Sequence, residues 1–182
     1  MFELTIKTQR LLLRPFRPAD ARRIQDLAGE REIAIMTGPS IPHPYPDGAA
    51  DAWIAKQTQR RREGKSQAFA VELDGALVGS VGIDDTGKGT HFELGYWLGK
   101  PYWGRGIVSE AAAAVVEFAF GWLNQPALVA GYLADNPASG RILDKLGFVR
   151  THTRMAFQHV RQCEVELIRL RLTKDAWAAN RV

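Results

Sequence analysis

The chain has 182 residues, 46% hydrophobic and 24% charged, and its 24 Lys plus Arg against 20 Asp plus Glu leave a formal net charge of +4. That hydrophobic content excludes a disordered chain, and the length fits a single domain over 1–182 with a core of its own. Cys163 is the only cysteine, which excludes an internal disulfide and a cysteine-built metal centre and suits a reducing, cytoplasmic setting.

The first residues show no basic region followed by an apolar run, so no leader is expected. Residues 8–16 mix apolar and basic side chains and read as an opening strand that Pro15 ends or places at an edge. Asp20, after Pro18, starts a helix reaching Leu27, with Ile24 and Leu27 on one face. From Ala34 to Gly48 the chain reads as irregular, first at Gly38-Pro39 and then at Pro42-His43-Pro44-Tyr45-Pro46, where prolines fix φ and remove backbone donors. His43 and Tyr45 there are candidates for an acceptor pocket, or simply parts of a proline-stiffened surface loop. A helix from Asp47 or Gly48 to Arg62 ends at Gly64. Its terminal Arg60-Arg61-Arg62 beside Glu63 reads as a solvated helix end, and with the other basic residues scattered, nucleic acid is not an expected partner.

Residues 67–73 and 77–83 alternate as two strands joined by Asp74-Gly75, a two-residue hairpin signal. A polar turn over 84–89 leads to Glu93-Leu94-Gly95-Tyr96-Trp97-Leu98, a period-two strand, then to Trp103-Gly104-Arg105-Gly106 and a helix from Ile107 to about Trp122. That helix is interrupted by Glu117 and is too short for a membrane span. The start of a helix leaves its first N–H groups without intrahelical partners and carries partial positive charge. With no side chain at Gly104 or Gly106, an anion can approach that backbone closely, and Arg105 adds a full charge. The residues thus describe a phosphate or pyrophosphate cradle without naming its ligand. Residues 127–134 form a further strand. Asn136 caps and Pro137 opens a helix that Gly147 stops, residues 148–154 and 164–172 are the last strands, and 175–180 form a short terminal helix. The order, β-α-α-β-β-β-α-β-α-β-β, predicts an α/β domain (α+β in some schemes) with a central mixed, mostly antiparallel sheet flanked by helices.

Three segments resemble the GNAT superfamily of acyl-CoA-dependent N-acyltransferases, in particular its RimJ/RimL-type branch. Thr8-Gln9-Arg10-Leu11-Leu12-Leu13-Arg14 is similar to that branch's opening strand. Glu93 to Trp97, with Trp103 to Gly106 and Glu110-Ala111, is similar to its central signature, and Asn136 to Phe148 to its downstream helix. The resemblance covers nearly the whole chain and implies an N-acetyltransferase that passes an acetyl group from acetyl-CoA directly to a primary amine, on a protein N-terminus or a small molecule. It implies a monomer or homodimer needing no metal, nucleic acid or membrane. Against the superfamily pattern, Trp103 replaces an Arg or Gln, Val108 replaces a small residue, and the helix tyrosine that protonates the departing thiolate is replaced by Leu143. The runner-up, from another class, is a non-catalytic acyl-CoA sensor or interaction module.

Roles follow from the chemistry. An amine attacking a thioester needs a base, an oxyanion donor and a proton for the departing sulfur. Glu93 is the candidate base, with a salt-bridged carboxylate on the sheet as the alternative, and His91 lies on the same strand face. A backbone N–H at Trp97 or Leu98, exposed by a strand distortion, is the candidate oxyanion donor. Ser139 resembles the branch's serine facing the sulfur. Trp97, Leu98, Trp103, Gly104, Arg105, Gly106, Ile107, Ser109, Asn136 and Ser139 make up the expected CoA site, whereas Glu110 reads as a favourable first-turn charge.

Overall fold

Alternating apolar residues build a sheet covered on both faces. The computed structural model describes residues 4–37, 41–85, 87 and 91–180. Its strands are β1 (Ile6–Lys7), β2 (Leu11–Arg14), β3 (Ser66–Leu73), β4 (Ala76–Asp85), β5 (Phe92–Leu98), β6 (Ala127–Leu133), β7 (Val149–Gln158) and β8 (Cys163–Thr173). The helices are α1 (Ala21–Ala28), α2 (Arg31–Met36), α3 (Ala49–Arg62), α4 (Ile107–Gly121), α5 (Pro137–Lys145) and α6 (Lys174–Ala179). The strands lie in the order β1-β2-β3-β4-β5-β6-β8-β7, and every neighbouring pair is antiparallel except β5 and β6. A parallel pair needs a crossover, which α4 supplies.

The period of two decides which core each strand residue joins. Phe69 and Val71 face a core that takes in Leu94, Leu98, Leu128 and Leu170 and is closed by Ile107, Ala111, Ala112, Val115 and Ala119 of α4. The small side chains on α4 let it lie close to the sheet. Ala68 and Ala70 face the opposite way, into a second core with Ile24, Leu27, Ile33 and Ile54 from α1, α2 and α3. Each fully buried Leu, Ile or Phe in these layers contributes about 1.5–3 kcal/mol. Asp74 and Gly75 both adopt positive φ, 51° and 79°, the primed turn expected between β3 and β4.

Arg14 is 5% exposed and ties β2 to β3 and to the start of α1. Its guanidinium donates to both oxygens of Asp20, at 2.8 and 2.9 Å, and its Nε to Glu72 at 2.6 Å. Burial works to raise the Asp20 carboxyl, but the Arg14 bonds and the Arg17 N–H outweigh it and hold the group below its ordinary value.

Four expectations need correction. The opening strand is a small hairpin: residues 8–10 form a turn, stabilised by Thr8 N–H and Oγ1 bonds with Leu11, between β1 at the sheet edge and β2, which pairs on with β3. Residues 31–36 are helical, because Ile33 and Ala34 are buried in the second core and tertiary packing overrides a weak local signal. The arginine run is not a simply solvated end, since Arg60 donates to the Asp85 carbonyl at 2.6 Å and Arg61 lies 4.7 Å over the Phe69 ring. Finally, β7 runs on to Gln158, with a register shift between Arg150 and His152. Gly38 and Pro39, and Thr86, Lys88 and Gly89 of the polar turn, lie outside the described residues, whereas Asp84 and Asp85 extend β4.

Candidate active site

The cradle at the start of α4 is made of backbone. Gly104 and Gly106 take φ of 74° and 71°, and Gly106 is the N-cap with no side-chain bond across it. A Cβ on Gly104 would meet nothing within 4 Å, and one on Gly106 would meet only the Arg10 guanidinium at 3.6 Å. Glu110 makes the first α4 hydrogen bond back to Gly106, so the N–H groups of Ile107, Val108 and Ser109 have no carbonyl one turn earlier. Open space, free donors and the helix dipole fit a phosphate group. The Ile107 side chain is buried in the first core, which leaves only its backbone for a ligand. Arg105 is exposed at the rim, its guanidinium 6.0 Å from the Tyr102 ring centroid.

The hairpin turn buttresses this loop. Glu110 accepts from Thr8 Oγ1 at 2.6 Å, Arg10 N at 2.9 Å and Arg10 Nε at 2.7 Å, while Arg10 Nη1 donates to the Arg105 carbonyl at 3.0 Å. Burial pushes the Glu110 carboxyl up, yet these bonds win and lower it. Glu110 is therefore a tether between segments 100 residues apart as well as a first-turn charge.

Beside the cradle the sheet opens. β5 pairs with β6 only at Phe92↔Leu128, Glu93↔Val129 and Leu94↔Ala130, although β5 continues to Leu98 and β6 to Leu133. Residues 95–98 and 131–133 thus border a gap. The Gly99 N–H donates to Val78 at 2.9 Å, which sets the antiparallel alternation: Trp97 and Gly95 turn their backbone groups to β4, and Leu98 and Tyr96 turn theirs to the gap. The β4–β5 register is unbroken from Phe92 to Leu98, so the expected distortion at Trp97 is absent and the splay itself frees the donors. Trp97 packs its side chain against the second core. The Leu98 carbonyl, facing the gap, accepts from Trp103 Nε1 at 2.7 Å. Trp103 therefore braces the passage from β5 to the cradle, with its ring 44% exposed.

Across the gap, Asn136 accepts the Ser139 N–H at 3.2 Å, the cap expected of α5, and its amide donates to the Met36 carbonyl at 3.4 Å. The Ser139 hydroxyl lies 2.9 Å from the Tyr96 phenol, which also donates to the Ser139 carbonyl at 3.3 Å. Burial pushes the Tyr96 phenol up to about 12, with the Ser139 bond pulling the other way. Tyr96 was missed as a site residue; its place in the period-two pattern with Leu94 and Leu98 marks it only as facing the first core. Leu143 is 1% exposed within that core, so the position matching the superfamily's tyrosine does not face a ligand at all.

Glu93 is on the opposite face of β5, partly exposed and ion-paired with Arg169 Nη1. Arg169 reaches it over Gly131, where a Cβ would come within 2.7 Å of the guanidinium. The salt-bridged carboxylate foreseen for this position is present, and the carboxylate still has a second oxygen. His91 lies 3.2 Å from Arg171 Nη2, one pair along the same face. Among the described residues, no group of three or more His, Cys, Asp or Glu side chains is placed to hold a metal ion, and no helix is long and apolar enough to cross a membrane.

The two loop candidates are drawn inward. His43 Nδ1 is 3.1 Å from the Gly29 carbonyl, and Tyr45 packs against the second core, where burial raises its phenol. Sequence reasoning also missed a latch at the end of α2. Gln158 Nε2 donates to the Ala34 carbonyl at 2.7 Å and Arg161 Nη2 to the Ile35 carbonyl at 2.7 Å, while Arg161 also pairs with Asp135. These carbonyls are among the last four of α2, which lack intrahelical partners.

With this geometry in view, the relatives are informative. The acetyltransferase (GNAT) domain pattern matches residues 10–149. The uncharacterized N-acetyltransferase p20 of Bacillus licheniformis is 28% identical over 150 residues, 79% of this chain and 82% of its own. The ribosomal protein uS5-alanine N-acetyltransferase of Escherichia coli is 24% identical over 153 residues, 80% of this chain and 78% of its own. Mycobacterium smegmatis RimJ, solved in complex with CoA-disulfide, superposes with a TM-score of 0.78 at 20% identity over 93% of this chain and 88% of its own, a likeness of fold. The chain belongs to the GNAT acetyltransferase family and is an acyl-CoA-dependent N-acetyltransferase.

Proposed function

We propose that this N-acetyltransferase carries the acetyl group of acetyl-CoA to the α-amine of a protein N-terminus in the cytoplasm. The observation that carries the reading is the gap between β5 and β6 opening directly off an anion cradle built of free backbone N–H groups. Residues 104–106 and the first α4 donors hold the pyrophosphate, with Arg105 adding charge at the rim and Ser109 within the first turn. Trp103 keeps the Leu98 carbonyl occupied, so the Leu98 N–H is the donor left to meet the thioester oxygen as it becomes an oxyanion. Asn136 fixes the first turn of α5 and, with Ser139, lines the far side of the gap.

The amine approaches on the Glu93 face. Its nitrogen attacks the thioester carbon, Glu93 accepts the nitrogen's proton through a water, the C–S bond breaks and the departing sulfur is stabilised by the Ser139 hydroxyl. Arg169 orients Glu93 for that step. A relative named as a ribosomal protein uS5-alanine N-acetyltransferase supports a protein acceptor, and the partly exposed Glu93, Gly131 and Arg169 leave this face accessible. His43 and Tyr45 stiffen the neighbouring loop rather than contact the amine.

Thiol release from acetyl-CoA, read with mass spectrometry of the acceptor, tests this. Peptides with a free N-terminal alanine or serine are expected to gain one acetyl group at the α-amine, and their N-terminally blocked forms none. Tight CoA binding without amine-dependent thiol release across peptides, polyamines, amino acids and an aminoglycoside overturns the reading in favour of an acyl-CoA sensor. Turnover confined to one of the small amines relocates the acceptor.

A further inference from the structure

Tyr96 and Ser139 form a side-chain bridge from the splayed part of β5 to the first turn of α5, across the mouth of the gap. Either hydroxyl can be the donor on geometry alone. Chemistry decides between them. A phenol is a far stronger acid than an aliphatic alcohol and hence the better donor, and its single proton, shared between the Ser139 hydroxyl at 2.9 Å and the Ser139 carbonyl at 3.3 Å, lies nearer the hydroxyl. With Tyr96 donating to Ser139 Oγ, the serine's own proton is released for a third group. Asn136 Oδ1 already caps the Ser139 N–H and so holds this first turn in place. The orientation of the hydroxyl is thus set from two sides.

We propose that Tyr96 is a positioning residue that commits the Ser139 hydroxyl proton to the sulfur of CoA, a relay from strand to helix that takes the place of the thiolate-facing tyrosine absent at Leu143. The inference rests on the acetyl-CoA reading. Tyr96 does not surrender its proton: burial keeps the phenol protonated, so it acts by orienting Ser139 and by strengthening the Ser139 hydroxyl as a donor through the hydrogen-bonded chain. The proton that finally neutralises the thiolate comes from solvent as CoA leaves. The chain of bonds favours the thiolate over the thioester sulfur because a hydrogen bond to a charged acceptor is the stronger one.

The test compares CoA with desulfo-CoA, which keeps every phosphate and amide but lacks the sulfur, by calorimetry at a fixed pH of about 9, where an ordinary thiol of pKa about 8.5 is mostly thiolate. The parent is expected to prefer CoA by about tenfold, the size of one hydrogen bond to a charged group. Tyr96→Phe and Ser139→Ala are each expected to reduce that preference to about twofold while leaving desulfo-CoA affinity within about twofold of the parent, and the double variant to lose no more than either single one, as for two members of one chain of bonds. A merely structural role for Tyr96 weakens both ligands together and overturns the proposal, as does a CoA preference kept intact in Tyr96→Phe. Parent protein that binds both ligands equally overturns this inference alone. Parent protein that binds neither removes the acetyl-CoA reading and the inference with it.

Discussion

The cradle, in the loop between β5 and α4, and the proposed acceptor side of the gap, on the sheet, are held by different means. The cradle's donors depend on conformations that two glycines adopt and on N–H groups that any helix start leaves free, all within a few consecutive residues, with the distant Thr8–Arg10 turn bracing the loop only from outside. The proposed acceptor side depends on side chains that meet across a long stretch of sequence, Glu93 with Arg169, just as the latch on α2 depends on Gln158 with Ala34 and Arg161 with Ile35. A site made of backbone tolerates side-chain exchange around it, which is why Trp103 and Val108 can stand where the superfamily has other residues. A site made of distant side-chain pairs has no such tolerance. Substitutions should therefore separate cofactor binding from acceptor chemistry.

The largest effect is expected at Glu93. Glu93→Gln keeps the shape and an oxygen for Arg169 but removes the proposed base, so turnover should fall about 10²–10⁴-fold while CoA affinity stays level. Steady-state kinetics with an N-terminal alanine peptide, beside calorimetry with CoA, reads both. A turnover and pH profile equal to the parent's assigns the base to another group.

On the cradle, Gly106→Val places a β-branched residue at φ 71° and a side chain in the anion's path. The backbone strain, about 1–3 kcal/mol, is carried in free and bound protein alike and lowers the melting temperature, while the side chain that displaces the anion from its N–H donors should cost CoA affinity about 10–100-fold, the size of one hydrogen bond to a charged group. If calorimetry shows unchanged affinity, the phosphate assignment is wrong.

These two sites also mark what the sequence could and could not reveal. The strand over residues 93–98, the glycine turn before α4 and the capped start of α5 follow from period-two alternation, glycine placement and the Asn136-Pro137 pair, so the backbone elements around the gap were legible. The α2 helix was not, because six residues carry little local signal and Ile33 and Ala34 become helical only through burial. Nor was the Tyr96–Ser139 bridge: periodicity places a side chain on a face of a strand, but whether its hydroxyl reaches a helix 43 residues later depends on how far β5 and β6 diverge. Nor was the pairing of Arg169 with Glu93, which lie 76 residues apart. Its purpose is visible only once Gly131 is seen beneath it.

Gln158 provides the third test. It is buried; its amide holds the Ala34 carbonyl and its oxygen accepts from Val160 N at 2.7 Å and Arg161 N at 2.8 Å. Gln158→Ala leaves these partners unpaired, a loss of about 1–3 kcal/mol that thermal melting should report as a drop of several degrees. CoA affinity is expected to stay within about twofold. A parallel fall in affinity and melting temperature contradicts the independence of the two regions.

The smallest effect is expected at Arg105, and it is the one that weighs charge against backbone within the cradle. The side chain is exposed and screened by water, so Arg105→Ala should weaken CoA binding only about three- to tenfold, and the difference from the parent should shrink as salt rises and the Debye length falls. Affinity unchanged at low salt takes Arg105 out of the site and leaves the N–H groups as the whole cradle. A loss as large as that of Gly106→Val, insensitive to salt, makes the guanidinium a direct, desolvated phosphate ligand and the backbone secondary. The open space over Gly104 and the three unpaired donors at the start of α4 favour the first ranking, with backbone above charge.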